Sequence, residues 1–450
     1  MLIAILTRDS LKSGEKYNPT TLVFPTRLHA PIRKATKFHL FLYVQNRVKV
    51  RNPQGIAAVR MASWDDPKTT DDDDLLTVYG VNSGQNVVIF NTSMTTVSFY
   101  GLNERGDKRL NRPYGITASS WGDVYVADTG NDRIVKLFNP EKALNFEREI
   151  RVPGMSRPQG VSLTADSSLY VSDTGGHRVL FFRDDTLNQI IAEQGYEDGK
   201  VRSPRGIAGT ARSDRWSYWK DDFVVVIDHD GQRLQKFLRS GEHVASKQAR
   251  EFGYPDANLQ YIAIDYYSNI WITDLSNHCI HKFDRNLNHI TTFGRKGGGD
   301  KEFVEPRGIT MNKQFGQVLV AEKEAAQYYW VGSDVLRINV EKTAHGLMDV
   351  RYFLTEKSVV TLEIRDRSGN LIGRPLNEAS RSTGENREII VGDGTLAPFV
   401  FRANERFYAE EDLANKPDFT AGRYKLKFIV KPTYSSAKYF ERKKEIKVTF

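Results

Sequence analysis

The chain has 450 residues, 40% hydrophobic and 11% aromatic, with 64 Lys and Arg against 56 Asp and Glu for a formal charge of +8. That length exceeds one ordinary core, so two or three domains are expected, and the apolar content excludes wholesale disorder. The mildly basic charge does not by itself argue for nucleic acid, and a single cysteine, Cys279, excludes an intramolecular disulfide and leaves no cysteine-based zinc site expected.

The chain begins with an apolar stretch, 2–6, that ends at Thr7-Arg8-Asp9. It is shorter than the roughly 7–15 apolar residues of a secretory signal. Two readings stay open: a cytoplasmic chain, or an extracellular or periplasmic one whose signal was removed before this numbering begins. No apolar run approaches the roughly 18 residues of a transmembrane helix, so no membrane span is expected. Residues 1–50 are read as an N-terminal segment of strands, at 2–6, 21–24, 38–44 and 47–50.

Internal repetition decides the fold from there. Arg112-Pro113-Tyr114-Gly115-Ile116 leads to Val124-Tyr125-Val126-Ala127-Asp128-Thr129-Gly130-Asn131-Asp132-Arg133-Ile134. The phrase returns as Arg157-Pro158-Gln159-Gly160-Val161 with Asp173 and Arg178, and as Ser203-Pro204-Arg205-Gly206-Ile207 with Asp228 and Arg233. Fainter copies open at Asn52-Pro53-Gln54-Gly55, Leu259-Gln260-Tyr261 and Glu305-Pro306-Arg307-Gly308. The aligned positions are 55, 115, 160, 206, 261 and 308. Runs such as Tyr125-Val126-Ala127 alternate with period 2, and most spacings near 45 residues suit four short strands with turns. Gly after Pro-x lets the innermost strand crowd the axis, Asp starts a tight turn by accepting backbone N–H bonds, and the Arg-Ile or Arg-Val pair opens the third strand.

These phrases resemble the NHL-repeat family over roughly residues 50–330, which implies a six-bladed β-propeller at 51–335. The N-terminal strands are expected to complete its last blade or flank its first. Tyr261 in place of Gly, Glu322-Lys323-Glu324 in place of Asp, and an acidic insertion from Trp64 to Asp74 depart from the pattern.

After about residue 340 the period stops. Strand-like runs follow at 350–354, 359–365, 388–391, 424–430 and 445–450. Tyr424, Leu426, Phe428 and Val430 alternate onto one face with Lys425 and Lys427 on the other, the mark of a half-buried antiparallel strand. A β-sandwich at 336–450 is expected. Tyr352-Phe353-Leu354, 360–366, Ser368-Gly369-Asn370, Gly392-Asp393-Gly394 and Ala421-Gly422-Arg423-Tyr424 resemble the immunoglobulin-like domain of flagellar hook-capping proteins and of many exported bacterial proteins. The Trp expected before the Asp-Gly turn is absent, and 399–419 looks inserted. The resemblance implies export and a docking role.

Enzymes among related propellers carry zinc-binding His, or calcium-binding Glu, Asn and Asp, near the position before the conserved Gly. Here that ring is Gln54, Tyr114, Gln159, Arg205, Gln260 and Arg307. It offers no imidazole or carboxylate, so no metal, no cofactor and no enzyme is expected. The ring reads as polar residues around a wet channel, or as a shallow site in which Arg205 and Arg307 supply forked donors to an anion. His177, His229 and His278, in equivalent turns, read as turn caps. Asp71 to Asp74 read as a solvated loop, a calcium loop being the alternative. Tyr328-Tyr329-Trp330 read as core of the sixth blade. Trp216, Tyr218 and Trp219, on an insertion in the fourth, are the candidate partner contact, since large aromatics are costly to expose.

The function expected is a non-catalytic scaffold presenting loops to a protein or glycan partner in an exported bacterial assembly. The alternatives are a structural subunit of an extracellular assembly, whose basic run Lys438 to Lys447 would meet acidic neighbours, and a lyase or hydrolase at the channel mouth. Nucleic acid is not the expected partner.

Overall fold

The computed structural model of the chain describes residues 21–25, 33–36, 38–39, 42, 48–64, 76–91, 96–140, 143–402 and 405–450. The apolar start at 2–6 and the acidic insertion beyond Trp64, with its calcium-loop alternative, lie outside the described residues. Contacts divide the chain into two units, one from Phe24 to Tyr329 and one from Trp330 to Phe450 that also takes the segment ending at Val23. The division falls within the strand Ala325–Val331, a few residues before the expected 335.

Each repeated phrase forms one antiparallel sheet of short strands, because alternation at period 2 buries side chains on both faces between neighbouring sheets. Five sheets lie at 53–100, 116–150, 158–192, 207–248 and 259–293. The sixth holds Ile309–Asn312, Gln317–Ala321 and Ala325–Val331. Its outer edge is completed from the N-terminal side of the chain. Lys34–Thr36 pairs with residues 325–327, and Leu22–Val23 pairs with Trp330 and Val331. Phe38, His39 and Leu42, expected in a strand, are helical instead, and 48–50 form no strand. The innermost strands neighbour one another in order, and the last returns to the first. The first unit is therefore a six-bladed β-propeller.

A side-chain clasp recurs from blade to blade. The carboxylate ending the second strand reaches back to the loop that enters its own blade: Asn111 N–H donates to Asp128 Oδ1 at 2.7 Å and Ser156 N–H to Asp173 Oδ1 at 2.8 Å. Glu322 takes the same role in blade six, accepting from Val304 N–H at 2.6 Å. Asn82 does so in blade one, accepting from Arg51 N–H at 2.8 Å. In blades two, three and four the buried carboxylate is neutralised by the Arg that opens the third strand. Arg133 Nε, Arg178 Nε and Arg233 Nη2 lie 2.7, 2.8 and 2.7 Å from Asp128, Asp173 and Asp228. Burying a carboxylate demands such a partner.

A second device ties each blade to the next. Asn86 Oδ1 and Asp132 Oδ1 accept the N–H groups of Arg112 and Arg157, each at 2.7 Å. The donating arginines stand immediately before proline with φ of 46° and 45°, a left-handed conformation costing about 1–2 kcal/mol. The bond from the preceding blade holds that strained entry in place.

In the second unit a three-stranded sheet and a four-stranded sheet enclose one core, which is a β-sandwich. The strands are Val335–Lys342, Met348–Leu354 and Gly384–Ile390 on one side, and Ser358–Arg365, Leu371–Arg381, Arg423–Pro432 and Arg442–Thr449 on the other. Tyr424, Leu426, Phe428 and Val430 are buried on the core face, as their alternation implies. The insertion at 399–419 carries a two-stranded hairpin and the short helix Glu410–Leu413. Within the core Glu388 is fully buried and held by Arg381 Nε and Arg406 Nη1, both at 2.6 Å.

Candidate functional site

Antiparallel connectivity sends the turns of every blade to two opposite faces of the propeller. The entry loops and second turns share one face, and the first and third turns share the other. The two groups of candidate binding residues fall on opposite faces.

On the entry face, the ring residues surround the axis. Close packing explains the glycines beside them: a Cβ on Gly55 would sit 2.7 Å from Tyr114 O, and one on Gly308 2.5 Å from Gln54 O. Tyr114, Gln159, Arg205, Gln260 and Tyr261 line one small cleft with a cavity volume of about 10 Å³. The remaining ring members connect through hydrogen bonds. Tyr261 O–H donates to Gln54 Oε1 at 3.1 Å, and Gln54 Nε2 donates to Asn52 Oδ1 at 3.0 Å, the oxygen that also accepts from Arg307 Nη1. Tyr261 replaces the repeat glycine, and burial pushes its hydroxyl far above the ordinary phenol range.

Neither ring arginine is an open cation. Arg205 donates to Asn258 Oδ1 at 3.0 Å and pairs with Asp230 at 3.4 Å. Arg307 pairs with Glu305 at 3.1 Å. Lys323, then Arg307, holds the Glu305 carboxyl below its usual range against the effect of burial. The expected pair of forked donors for an anion is thus already engaged with carboxylates of the same face.

The three histidines are not brought together. His177 Nδ1 and His278 Nδ1 accept the N–H groups of Ser203 and Glu305 at 3.0 and 2.9 Å, performing the blade-to-blade tie of Asn86 and Asp132 rather than capping their own turns. His229 stands directly after its Asp rather than four residues on, and its ring meets Tyr196 edge-on at 5.4 Å.

On the opposite face, Tyr218 and Trp219 are 46% and 48% exposed. Tyr218 meets Trp219 edge-on at 5.1 Å and Tyr267 at 5.5 Å, and its N–H donates to Tyr266 O at 2.8 Å. Arg285 lies over the Trp219 ring at 4.7 Å. Trp216 is half-buried and stands apart, with the Arg215 guanidinium 5.1 Å above its ring. The insertion is pinned by Asp214, which accepts from Trp216 N–H at 2.9 Å and from Lys313 of blade six at 2.8 Å. Sequence reasoning missed Tyr266, Tyr267 and Arg285. A doubled aromatic in a tight turn, where Gly or Asn is usual, was the available signal. Trp121, also missed, is 76% exposed on a first turn of the same face. Tyr329 and Trp330, by contrast, are buried.

Among the described residues one set has metal-ligand spacing: Asp274, Cys279 and His281 in blade five, all buried, with donor atoms within 4.8 Å of one another. Sequence reasoning excluded a cysteine-based site because Cys279 is alone. It missed that strand pairing brings a carboxylate and an imidazole to it. Among the described residues no helix is long and apolar enough to cross a membrane.

No family model and no curated protein matches the sequence. Solved structures do. The chain is similar to virginiamycin B lyase from Staphylococcus aureus, with 17% identity, a TM-score of 0.42 and coverage of 58% of this chain and 78% of that one. It is similar to a gluconolactonase from Xanthomonas campestris, with 12% identity, a TM-score of 0.45 and coverage of 70% and 96%. A luciferin-regenerating enzyme matches at 12% identity and a TM-score of 0.44, over 66% of this chain and 94% of that one. At such identities the likeness concerns the fold alone. It corrects one expectation all the same: the chain was expected to be no enzyme, whereas the propellers it matches are mostly enzymes. The ring's lack of imidazoles and carboxylates does not carry that exclusion, because hydroxyls, guanidinium groups and residues beyond the ring can also serve a reaction.

Proposed function

We propose that the chain is a recognition protein whose propeller engages an acidic protein partner through the aromatic face of blades four and five. One observation carries this reading: Tyr218 and Trp219 stand half-exposed beside Arg285, and Trp, Tyr and Arg are the residues that dominate protein interfaces. Charge supplies the partner's sign. Arg215 and Lys220 face outward, whereas Arg212 and Arg285 are paired with Asp222 and Asp221, and Lys313 with Asp214. On this reading the propeller is of the NHL type and the sandwich is an immunoglobulin-like docking domain in an exported assembly. The repeated entry phrases and the alternating strand at 424–430 support those assignments.

The test compares the wild-type chain with Trp219→Ala and Arg212→Glu in affinity capture followed by native mass measurement. A stoichiometric acidic protein retained by the wild type and weakened at least about 30-fold by Trp219→Ala is the expected outcome. A polysaccharide lost on the same substitution would replace the protein reading with a glycan one. A homopolymer insensitive to both substitutions would replace it with a structural role.

A second reading is small-molecule chemistry of the lyase or hydrolase kind at the axial mouth. It is favoured by the convergence of Tyr114, Gln159, Arg205, Gln260 and Tyr261 on one cleft. Turnover of a small ester or lactone that Arg205→Ala abolishes would establish it.

A further inference from the structure

We propose that blade five holds a thiophilic divalent cation, Zn²⁺ being the biological candidate, between Asp274 Oδ2, Cys279 Sγ and His281 Nε2.

Five residues after the clasp aspartate, blades two, three and four carry Arg133, Arg178 and Arg233, each paired with its carboxylate. Blade five has Cys279 there. Its clasp aspartate is as deeply buried as the others, at 0% exposure, but the guanidinium that neutralises the others is gone. In its place stand a thiol and an imidazole, both buried. These are the ligand types zinc selects.

The distances fit. His281 Nε2 lies 3.2 Å from Asp274 Oδ2, and Cys279 Sγ lies 3.6 Å from His281 Nε2. Ligand bonds of about 2.0–2.1 Å to nitrogen and oxygen and about 2.3 Å to sulfur give tetrahedral edges of about 3.3 and 3.5 Å. The third edge is within 4.8 Å, against about 3.5 Å in a tetrahedral site.

The surroundings orient the donors. His281 Nδ1 is bonded to Thr292 Oγ1 at 2.9 Å, which turns Nε2 toward the cluster. Asp274 Oδ1 accepts N–H groups from Asn258, Ser276 and Asn277, while Oδ2 faces the imidazole and also accepts from Asn277 Nδ2 at 2.7 Å. Tyr254 and Phe252 pack against the His281 ring at 4.4 and 5.2 Å. On binding, the Cys279 thiol releases its proton to solvent, and the cation's two charges meet one thiolate and one carboxylate. The buried site is then neutral, as the Asp–Arg clasp is in the sister blades.

The experiment uses the full chain, stripped with chelator and titrated with Co²⁺ alone, then with Zn²⁺. One Co²⁺ per chain is expected, with thiolate-to-cobalt charge-transfer absorption that Zn²⁺ abolishes, and a melting temperature raised by Zn²⁺. Cys279→Ser is expected to remove the absorption and weaken Co²⁺ binding by about 100-fold or more. The double variant Cys279→Arg with His281→Val rebuilds the Arg133–Val135 arrangement of blade two and is expected to fold without binding Co²⁺. Absence of the absorption in wild-type chain at saturating Co²⁺ would overturn the proposal. So would the same absorption in Cys279→Ser or, should that variant fail to fold, unchanged Co²⁺ binding in the folded double variant.

Discussion

Blades four and five are neighbours built on the same phrase, yet they meet two of its demands differently. Blade four places Gly206 beside the axis, where its Cα stays close to the next blade, and neutralises Asp228 with Arg233. Arg233 also donates to Tyr196 O and Lys200 O, each at 2.8 Å, so one guanidinium closes the turn, the strand and the entry loop together. Blade five puts Tyr261 where Gly206 stands and Cys279 where Arg233 stands. The tyrosine hydroxyl reaches Gln54 across the axis, and the cysteine leaves a carboxylate whose nearest titratable partner is His281. A repeat tolerates loss of its signature residue where another group supplies the same charge or fills the same volume. Such a position is also where a binding function can enter without changing the fold.

The sharpest way to break that comparison is Arg233→Ala. It strands a fully buried carboxylate and two carbonyls, and a loss of about 3–5 kcal/mol in unfolding free energy is expected by chemical denaturation. A loss below about 1 kcal/mol, no larger than an ordinary hydrogen bond, would show that the guanidinium is not what holds blade four. Tyr261→Phe keeps the ring and removes only the hydroxyl bond to Gln54, so about 1 kcal/mol is expected by the same measurement. A much larger cost would mean the hydroxyl organises the whole axial ring.

The smallest effect concerns the seam between blades three and four. Arg239 Nη1 of blade four lies 2.6 Å from Asp166 Oδ2 of blade three. Burial works against ionisation of Asp166, but the Thr164 hydroxyl and Arg239 outweigh it and hold the carboxyl below the ordinary aspartate range. A depressed folded value stabilises above the unfolded value of about 3.9 and is lost as pH falls through the folded one. Because the pair is about a quarter exposed, the contribution is under about 1 kcal/mol. Wild type and Asp166→Asn should therefore differ in melting temperature at pH 7 and converge near pH 2; a constant gap would assign the effect to packing instead.

Much of the propeller was legible because its instructions are local. Asp at the strand end and Arg five residues later act within one blade, and Gly after Pro-x marks, from its own position in the phrase, where one blade crowds the next. The closing strands were legible only in part: a strand was expected at 21–24, where Leu22–Val23 lies, but none at 34–36. Phe38 and Leu42 look strand-like, yet Lys34–Thr36 and Leu22–Val23 lie along the last blade, a pairing fixed by partners some 290 residues away rather than by their own composition. The strand Val335–Lys342 of the sandwich was likewise missed, since its outer positions alternate only weakly.

By itself the sequence determined how many wedges there are, where each begins and which residues ring the axis, because period, turn chemistry and alternation are written in consecutive residues. Tertiary structure decided what those residues do. It occupied both ring arginines with Asp230 and Glu305, assembled Tyr218 and Trp219 with Tyr266, Tyr267 and Arg285, and set a lone cysteine beside an imidazole and a carboxylate. Those partners come from other blades and paired strands, and only the closing of the sheets brings them within reach.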